Sequence, residues 1–186
     1  VLQLLPGGDV RLYYKVGGVI ADWKTMVCHS RDGGRTWSLP QELVPGDNSG
    51  GRGPVRSKVI RLFSGRYLAP CSTERGTWTG YADRSDDGGL TWTRSNPIAI
   101  PGLVPTGERS VESSDVAVSQ QSFYGRGVIQ PTLWESEPDR VHMLLRSTEG
   151  FIYRSNSADG GETWCDPYPT ALPNNNSGID LDRLAD

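Results

Sequence analysis

The sequence contains few of the residues from which disulfide frameworks and metal centres are built. It has three cysteines and two histidines in 186 residues, and no two cysteines have the C-x-x-C spacing. Three cysteines form at most one disulfide, so a disulfide-stapled scaffold and a thiolate metal cage are excluded. Without a clustered third ligand, the two histidines do not indicate a catalytic metal. We therefore predict no metal site and no cofactor, and we expect Cys28, Cys71 and Cys165 to be small buried side chains in strands.

Long apolar runs and an excess of one charge are also missing. No run approaches the ~18 apolar residues of a membrane-spanning helix. The 19 basic and 22 acidic residues give a net charge of −3, which lacks the basic excess of a protein that binds nucleic acid. No apolar stripe with the 3.6-residue period of a helix persists along the chain. We therefore predict almost no helix, no membrane span and no nucleic-acid partner.

Glycine is abundant instead, and much of it lies in a repeated octapeptide. The pattern Ser-x-Asp-Gly-Gly-x-Thr-Trp occurs at residues 30–37, 85–92 and 157–164, with six of its eight positions identical in all three copies. Glycine supplies the positive φ of a tight turn, the Asp carboxylate caps backbone N–H groups, and the Trp ring buries a large apolar area. The octapeptide therefore predicts the same structural turn three times, as scaffold rather than as a functional site.

A pattern of four strands surrounds each octapeptide. Two apolar strands joined by a turn precede it, a third strand leads into it, and we expect a fourth to start at its Trp. Tandem units of this kind are typical of the β-propeller, an all-β fold. The chain is expected to hold about three blades. The paired strands lie within residues 2–14, 59–69 and 132–145, with a further pair beginning at 179–184. The blades are expected at about residues 1–50, 51–105 and 127–172, with the start of a further blade at 173–186.

The three octapeptides resemble the Asp-box, the bacterial neuraminidase repeat of sialidases and their relatives. Gly53–Lys58, Gly127–Thr132 and Leu172–Asp180 resemble the segments that lead into the first strand of a blade in a bacterial and fungal sialidase-like family. The resemblance implies a six-bladed propeller and exo-acting hydrolysis of a terminal sugar, typically sialic acid. The Arg-Ile-Pro motif of sialidases does not occur here. We expect the chain to be a segment of a longer, secreted or periplasmic protein.

Strand direction divides the loops between the two rims of such a propeller. The hairpin turns and the octapeptides each follow an odd-numbered strand, so they share one rim. The loops after second strands and the blade-opening segments share the other rim, where we expect function because loops there differ between blades. The polar stretch 98–126 is expected on that rim too, as a partial lid or a disordered insertion.

The candidate site residues all come from this functional rim. Charges inside otherwise apolar strand starts, such as Arg56, Lys58 and Asp180, cost free energy unless a partner or ligand compensates them. We expect arginines to recognise an anionic group, amides to bind sugar hydroxyls, and a carboxyl group to act as general acid or base. The catalytic candidates are Glu74 and Asp180, and the substrate-binding candidates are Arg52, Arg56, Lys58, Gln130, Arg146 and Asn176.

Three functions are compatible with these residues. The first is an exo-acting glycoside hydrolase of sialidase type, whose partner is a glycan with a terminal acidic sugar. The second is a lyase that acts on uronic acids, which needs a cation to neutralise the carboxylate and a base. The third is a noncatalytic propeller that binds carbohydrate or protein. If three blades are the whole propeller, self-association is a further expectation, because open blades would expose apolar faces.

Overall fold

The computed structural model describes residues 1–54, 56–103 and 125–182, whose regular secondary structure is almost wholly strand. Three four-stranded sheets follow one another along the chain, and in each sheet every strand pairs antiparallel with the next. Blade 1 contains β1 (Leu2–Leu4), β2 (Val10–Val16), β3 (Lys24–Ser30) and β4 (Gln41–Glu42). Blade 2 contains β5 (Ile60–Arg61), β6 (Tyr67–Thr73), β7 (Thr79–Ser85) and β8 (Thr93–Arg94). Blade 3 contains β9 (Val128–Glu137), β10 (Arg140–Ser147), β11 (Phe151–Ser157) and β12 (Tyr168–Pro173).

The predicted all-β fold of four-stranded units with almost no helix is confirmed. In the described ranges, a 3-10 turn at Ile20–Asp22 is the only helical segment. No helix in those ranges is long and apolar enough to cross a membrane. The sheets occupy residues 2–42, 60–94 and 128–173.

The fourth strands begin later than the sequence predicted. They start at Gln41, Thr93 and Tyr168 rather than at the Trp of each octapeptide. The reason is that the Trp still belongs to the turn, because its indole N–H donates to the carbonyl of the second glycine, at 3.0–3.2 Å in the three copies. Of the further pair of strands expected to begin at 179–184, residues 179–182 lie outside any strand, and residues 183–184 lie outside the described residues.

The octapeptide folds as the predicted turn, held by its own side chains. In blade 2, Asp87 Oδ1 accepts hydrogen bonds from the Ser85 hydroxyl at 2.7 Å and the Thr91 N–H at 3.0 Å. Asp87 Oδ2 accepts from the Thr91 hydroxyl at 2.6 Å, and Ser85 Oγ accepts from the N–H of Gly89 at 2.7 Å. The same bonds recur in the turns at 30–37 and 157–164. Each turn is therefore rigid without any contribution from a ligand.

The apolar core lies between the blades. One cluster fills the space between blades 1 and 2 and contains Tyr13, Val27 and Trp92. A second cluster lies between blades 2 and 3 and contains Leu68, Met143 and Trp164. The octapeptide Trp thus packs towards the preceding blade, and burying a ring of this size is a large favourable contribution to folding.

Arginines near the hairpin turns reach from one blade to the octapeptide of the next. Arg66 donates to the carbonyl oxygens of Gly160 at 3.1 Å and Asp159 at 3.3 Å. Arg11 donates to the carbonyl of Gly88 at 2.6 Å. Hairpin turns and octapeptides therefore lie on the same rim.

The cysteine expectation is correct for two of the three residues. Cys28 and Cys71 are buried in strands, whereas Cys165 is exposed. Cys165 lies between the octapeptide and β12, in a connection that follows the surface after Trp164 has turned into the core.

Candidate functional site

A polar group forms at the rim opposite the octapeptides, from residues far apart in sequence. Glu74 directly follows β6, Gln130 lies near the start of β9, Arg146 near the end of β10, and Asn176 after β12. Arg146 joins two of the others, because its Nη1 donates to Gln130 Oε1 at 3.0 Å and its Nε to Asn176 Oδ1 at 2.8 Å. The antiparallel topology thus brings these four predicted residues onto one rim.

The backbone at both amides is in the left-handed region. Gln130 has φ +51° and Asn176 has φ +64°, a conformation that is uncommon for residues other than glycine and recurs at functional sites. At Gln130 the strand register between β9 and β10 shifts, and the Gln130 N–H turns towards blade 2, where it donates to Ser72 Oγ at 3.3 Å. Gln130 therefore links blade 2 through its backbone to Arg146 through its side chain.

The amide NH₂ groups of the site remain available. Arg146 occupies only the side-chain oxygens of Gln130 and Asn176. In the part of the chain that the structure describes, no acceptor lies within hydrogen-bond distance of either NH₂ group. Two fixed donors can therefore face a bound molecule.

Burial sets the protonation of the charged groups here. Burial raises the pKa of Glu74 above its ordinary value, and Arg146 only partly opposes this. Burial lowers the pKa of Arg146, an effect increased by Arg56 and opposed by Glu74. The Arg146 guanidinium also lies over the ring of Trp78, 5.6 Å from its centroid. The pKa of Glu74 is thus raised by burial even though the cationic Arg146 lies near it.

Arg56 reaches the segment that carries Asn176. Its guanidinium lies against Gly178 so closely that a Cβ atom there would collide with it. A side chain at Gly178 would therefore displace the Arg56 head group, which is the end of a flexible side chain.

A cavity of about 170 Å³ adjoins this group and is walled by all three blades. Glu74 and Gln130 line it, together with Lys15 and Trp23 from blade 1 and Ser72 from blade 2. Gly51 also lines it, and a Cβ on this residue would collide with the Ser72 carbonyl. The site therefore combines a recess between blades with charged and amide groups at its edge.

A second polar group lies further along the same segments. Asp180 Oδ2 is 3.5 Å from Lys58 Nζ, and Asp180 Oδ1 accepts from the Thr132 hydroxyl at 3.1 Å. Although burial by itself raises the pKa of Asp180, bonds from the Leu181 N–H, Thr132 and Lys58 bring it below the ordinary value. No hydrogen bond or ion pair joins Asp180 to Glu74 within the described ranges. The pKa values of the two candidate carboxyl groups are thus shifted in opposite directions.

Arg52 is placed differently from the expectation. Its Nε lies 3.0 Å from the fully buried carboxylate of Asp83, its Nη1 pairs with Asp47, and its Nη2 donates to the Trp92 carbonyl at 3.0 Å. The Arg52 side chain is only 12% exposed. We predicted that Arg52 binds an anionic group of the substrate. The structure gives it a structural role instead, because every face of its guanidinium already has a partner.

The structure adds residues that the sequence did not single out. Ser72, Trp23 and Trp78 were not predicted, because a serine in a strand and tryptophans in loops have no distinctive spacing. The tryptophan in the Glu74–Trp78 loop is nevertheless on the predicted functional rim. Of the expected lid at 98–126, residues 104–124 lie outside the described residues.

The fold and this rim define an Asp-box β-propeller with a polar recess on the rim opposite the Asp-boxes. A family model described as "BNR repeat-like domain" matches residues 1–186. The chain belongs to that sialidase-like family.

Solved structures with this fold include enzymes of two specificities. The NanB sialidase from Streptococcus pneumoniae is 20% identical, with a TM-score of 0.55, over 79% of this chain and 19% of that one. An α-L-arabinofuranosidase from Fusarium graminearum is 14% identical, with a TM-score of 0.57, over 90% and 46%. A protein of unknown function from Dyadobacter fermentans is 18% identical, with a TM-score of 0.60, over 92% and 50%. The chain thus spans between a fifth and a half of these proteins, and at such identities the likeness shows the fold.

Proposed function

We propose that this chain forms part of an exo-acting glycoside hydrolase of sialidase type that removes a terminal acidic sugar from glycans. The observation that carries the proposal is the meeting of Glu74, a carboxyl group whose pKa is raised by burial, with Arg146, Gln130 and Asn176 beside a recess. Sialidases among the structures with this fold support the reaction class.

The two carboxyl groups take different roles. Glu74 donates its proton to the glycosidic oxygen as the bond breaks, which requires a carboxyl group that is still protonated near neutral pH. Asp180, held as a carboxylate, serves as the base or stabilises positive charge that develops on the sugar. In most glycosidase families, sialidases with a tyrosine nucleophile excepted, the surroundings of two catalytic carboxyl groups push their pKa values apart.

The remaining residues bind the substrate. Arg56 and Arg146 make the rim electropositive and attract an acidic sugar. The free NH₂ groups of Gln130 and Asn176 donate to sugar oxygens, and Lys58 keeps Asp180 ionised and orients it. Arg146 fixes both amides through its own hydrogen bonds, so it also positions the groups that contact the sugar.

A neutral pentose is the second candidate substrate. The specific observation in its favour is the fold shared with an α-L-arabinofuranosidase. Two cations on the rim favour the acidic sugar, because a neutral substrate would leave Arg56 without an ionic partner. The alternatives are a uronic-acid lyase and a noncatalytic binding propeller. Product analysis and turnover measurements distinguish both from a hydrolase.

The leaving group of the substrate tests the role of Glu74. In the intact protein, Glu74→Gln is expected to lower kcat by about 10²–10⁴-fold on a natural glycan. It should lower kcat far less on an aryl glycoside, whose phenolate leaves without a proton. The matched control is Glu137→Gln, an exposed carboxylate on the opposite rim.

Several outcomes contradict the proposal. Equal losses on both kinds of substrate would exclude Glu74 as the general acid. Products that absorb in the ultraviolet would indicate an unsaturated sugar and therefore a lyase. Sugar binding without turnover of sialosides, glucuronides or arabinofuranosides would leave a noncatalytic binding propeller.

A further inference from the structure

Lys15, at the end of β2, is half-buried, and its ammonium group has no anionic partner within the described ranges. Its Nζ donates to Thr25 Oγ1 and to the carbonyl of Arg52, both at 2.6 Å. Both acceptors are neutral, and within the described ranges no carboxylate oxygen lies within 4.0 Å of Nζ. The third N–H of the ammonium therefore has no acceptor in that part of the chain. A half-buried cation in this state is costly unless an anion compensates it.

No surrounding carboxylate of the described residues pairs directly with the Lys15 ammonium. The nearby Asp83 is occupied, because its carboxylate accepts from Arg52 Nε at 3.0 Å and from the Gly53 N–H at 2.6 Å. Arg94 contributes a further cation, and its Nε is buried without a hydrogen-bond partner. Three cations lie in this region, Lys15, Arg52 and Arg94, against the two carboxylates Asp83 and Asp47. This gives an excess of one positive charge before Glu74, on the far side of the recess, is counted.

This excess charge borders the recess of the candidate site. Lys15 lines the cavity of about 170 Å³ together with Ser72, Glu74 and Gln130. Ser72 Oγ accepts from the Gln130 N–H at 3.3 Å, which leaves the Ser72 hydroxyl proton for an acceptor in the cavity. The recess thus offers an ammonium N–H and a hydroxyl to a bound oxyanion, near the carboxyl group of Glu74.

We infer that Lys15 and Ser72 form the subsite that receives the carboxylate of the substrate sugar, so that Lys15 determines specificity for acidic over neutral sugars. The inference rests on the proposed function and makes it more specific. Arg146 is the weaker candidate for this direct contact, because its guanidinium is already engaged by Gln130, Asn176 and the Trp78 ring.

Binding of an acid and of its uncharged ester tests this subsite. The probes are the methyl glycosides of sialic acid and of glucuronic acid, each beside its methyl ester, titrated calorimetrically into the intact protein. The wild type should bind at least one acid about tenfold more tightly than its ester, as expected for one charge-assisted contact. Lys15→Met should abolish this preference, whereas Lys15→Arg should keep it. Ser72→Ala should weaken binding of the acid while leaving the cavity charge intact.

The pH dependence gives a second readout. Burial lowers the pKa of Lys15 to about 8, although Cys71 and Asp83 oppose the shift and Arg94 adds to it. The preference for the acid should therefore fall as the pH rises from 7 to 9 in the wild type, and persist in Lys15→Arg. Burial raises the pKa of Cys71 well above its ordinary value, so its thiol does not account for a change near pH 8. Arginine side chains stay charged throughout this pH range, and repeating the series in Glu74→Gln removes the contribution of Glu74.

The outcomes separate this inference from the proposed function. An unchanged acid preference in a folded Lys15→Met protein overturns the inference, as does a preference lost only in Arg56→Gln. If sugars bind with the Lys15-dependent preference but no glycoside is cleaved, the subsite stands and the hydrolase proposal fails. If no acid is bound in preference to its ester by the wild type, the subsite is overturned whatever the catalytic result. Thermal melts identify variants that fail to fold. If Lys15→Met does not fold, the acid preferences of Lys15→Arg and Ser72→Ala decide the question.

Discussion

Arg146 donates a hydrogen bond of 3.0 Å to the side chain of Gln130, whose own backbone N–H donates to Ser72 of the neighbouring blade. The contact makes the geometry of the candidate site depend on the packing of blade 3 against blade 2. A change at Arg146 should therefore alter both stability and the protonation of the nearby carboxyl group.

Replacing Arg146 by Met is expected to destabilise the protein by about 1–3 kcal/mol, because two side-chain oxygens lose their donor. The same change removes the cation that opposes the raised pKa of Glu74, so that pKa should rise further. Since a general acid works only while protonated, the alkaline limb of the kcat profile should move to higher pH. Urea unfolding and pH–rate profiles measure the two effects. A limb that stays in place, or moves to lower pH, would contradict the assignment of Glu74.

The Asp-box carboxylates should make the protein sensitive to acid. Hydrogen bonds from the turn, led by Thr36, lower the pKa of Asp32 to about 2. In Asp159 the bonds from Thr163 and Ser157 outweigh burial and also give about 2. Because these values are depressed in the folded state, their stabilisation is complete above the unfolded pKa of about 4 and is lost as the pH falls towards 2. The urea midpoint should therefore drop between pH 4 and 2, and the drop should be smaller in Asp159→Asn. An equal fall of the urea midpoint in the wild type and in Asp159→Asn would contradict this expectation.

The contacts that Arg66 makes between blades should stabilise the protein more than those of an ordinary surface arginine. Besides two carbonyls of the third Asp-box, Arg66 binds Asp86 at 2.7 Å and Glu162 at 3.1 Å. Arg66→Ala is expected to cost about 1.5–3 kcal/mol, the range for hydrogen bonds to charged groups. Arg61→Ala, an exposed residue of the same blade, is the control and should change stability by less than about 0.5 kcal/mol. Similar losses for the two variants in denaturant melts would rule out the contact as a stabilising device.

The Asp-box tryptophans should differ in their contribution, although their local sequences agree. Trp164 is 6% exposed in the core between blades 2 and 3, whereas Trp37 is 38% exposed. Truncation of a well-packed large side chain costs about 3–5 kcal/mol, so Trp164→Ala should approach that range and Trp37→Ala should stay well below it. Chemical denaturation of the two variants makes the comparison. A larger loss at Trp37 would mean that the indole stabilises the turn itself more than the interface.

Local patterns determined much of the architecture. The spacing of the octapeptides and the alternation around them predicted the four-stranded units, and the rim on which Glu74, Gln130, Arg146 and Asn176 lie followed from strand direction alone. The ends of strands were less accurate. The fourth strand starts late in each blade because the Trp indole N–H closes back onto a glycine carbonyl, a bond that alternation of residues does not reveal.

The sequence alone thus determined the repeat, the all-β fold and the side of the propeller that carries the polar residues, because turns and strands depend on neighbours a few positions away. The tertiary structure decided which charged residues have partners. Arg52 and Lys15 are both basic residues on the same rim, yet Arg52 is saturated by Asp83 and Asp47 while the ammonium of Lys15 borders the recess with only neutral acceptors. Such partners come from other blades, many residues away in the chain, and only packing of the sheets brings them within hydrogen-bond distance.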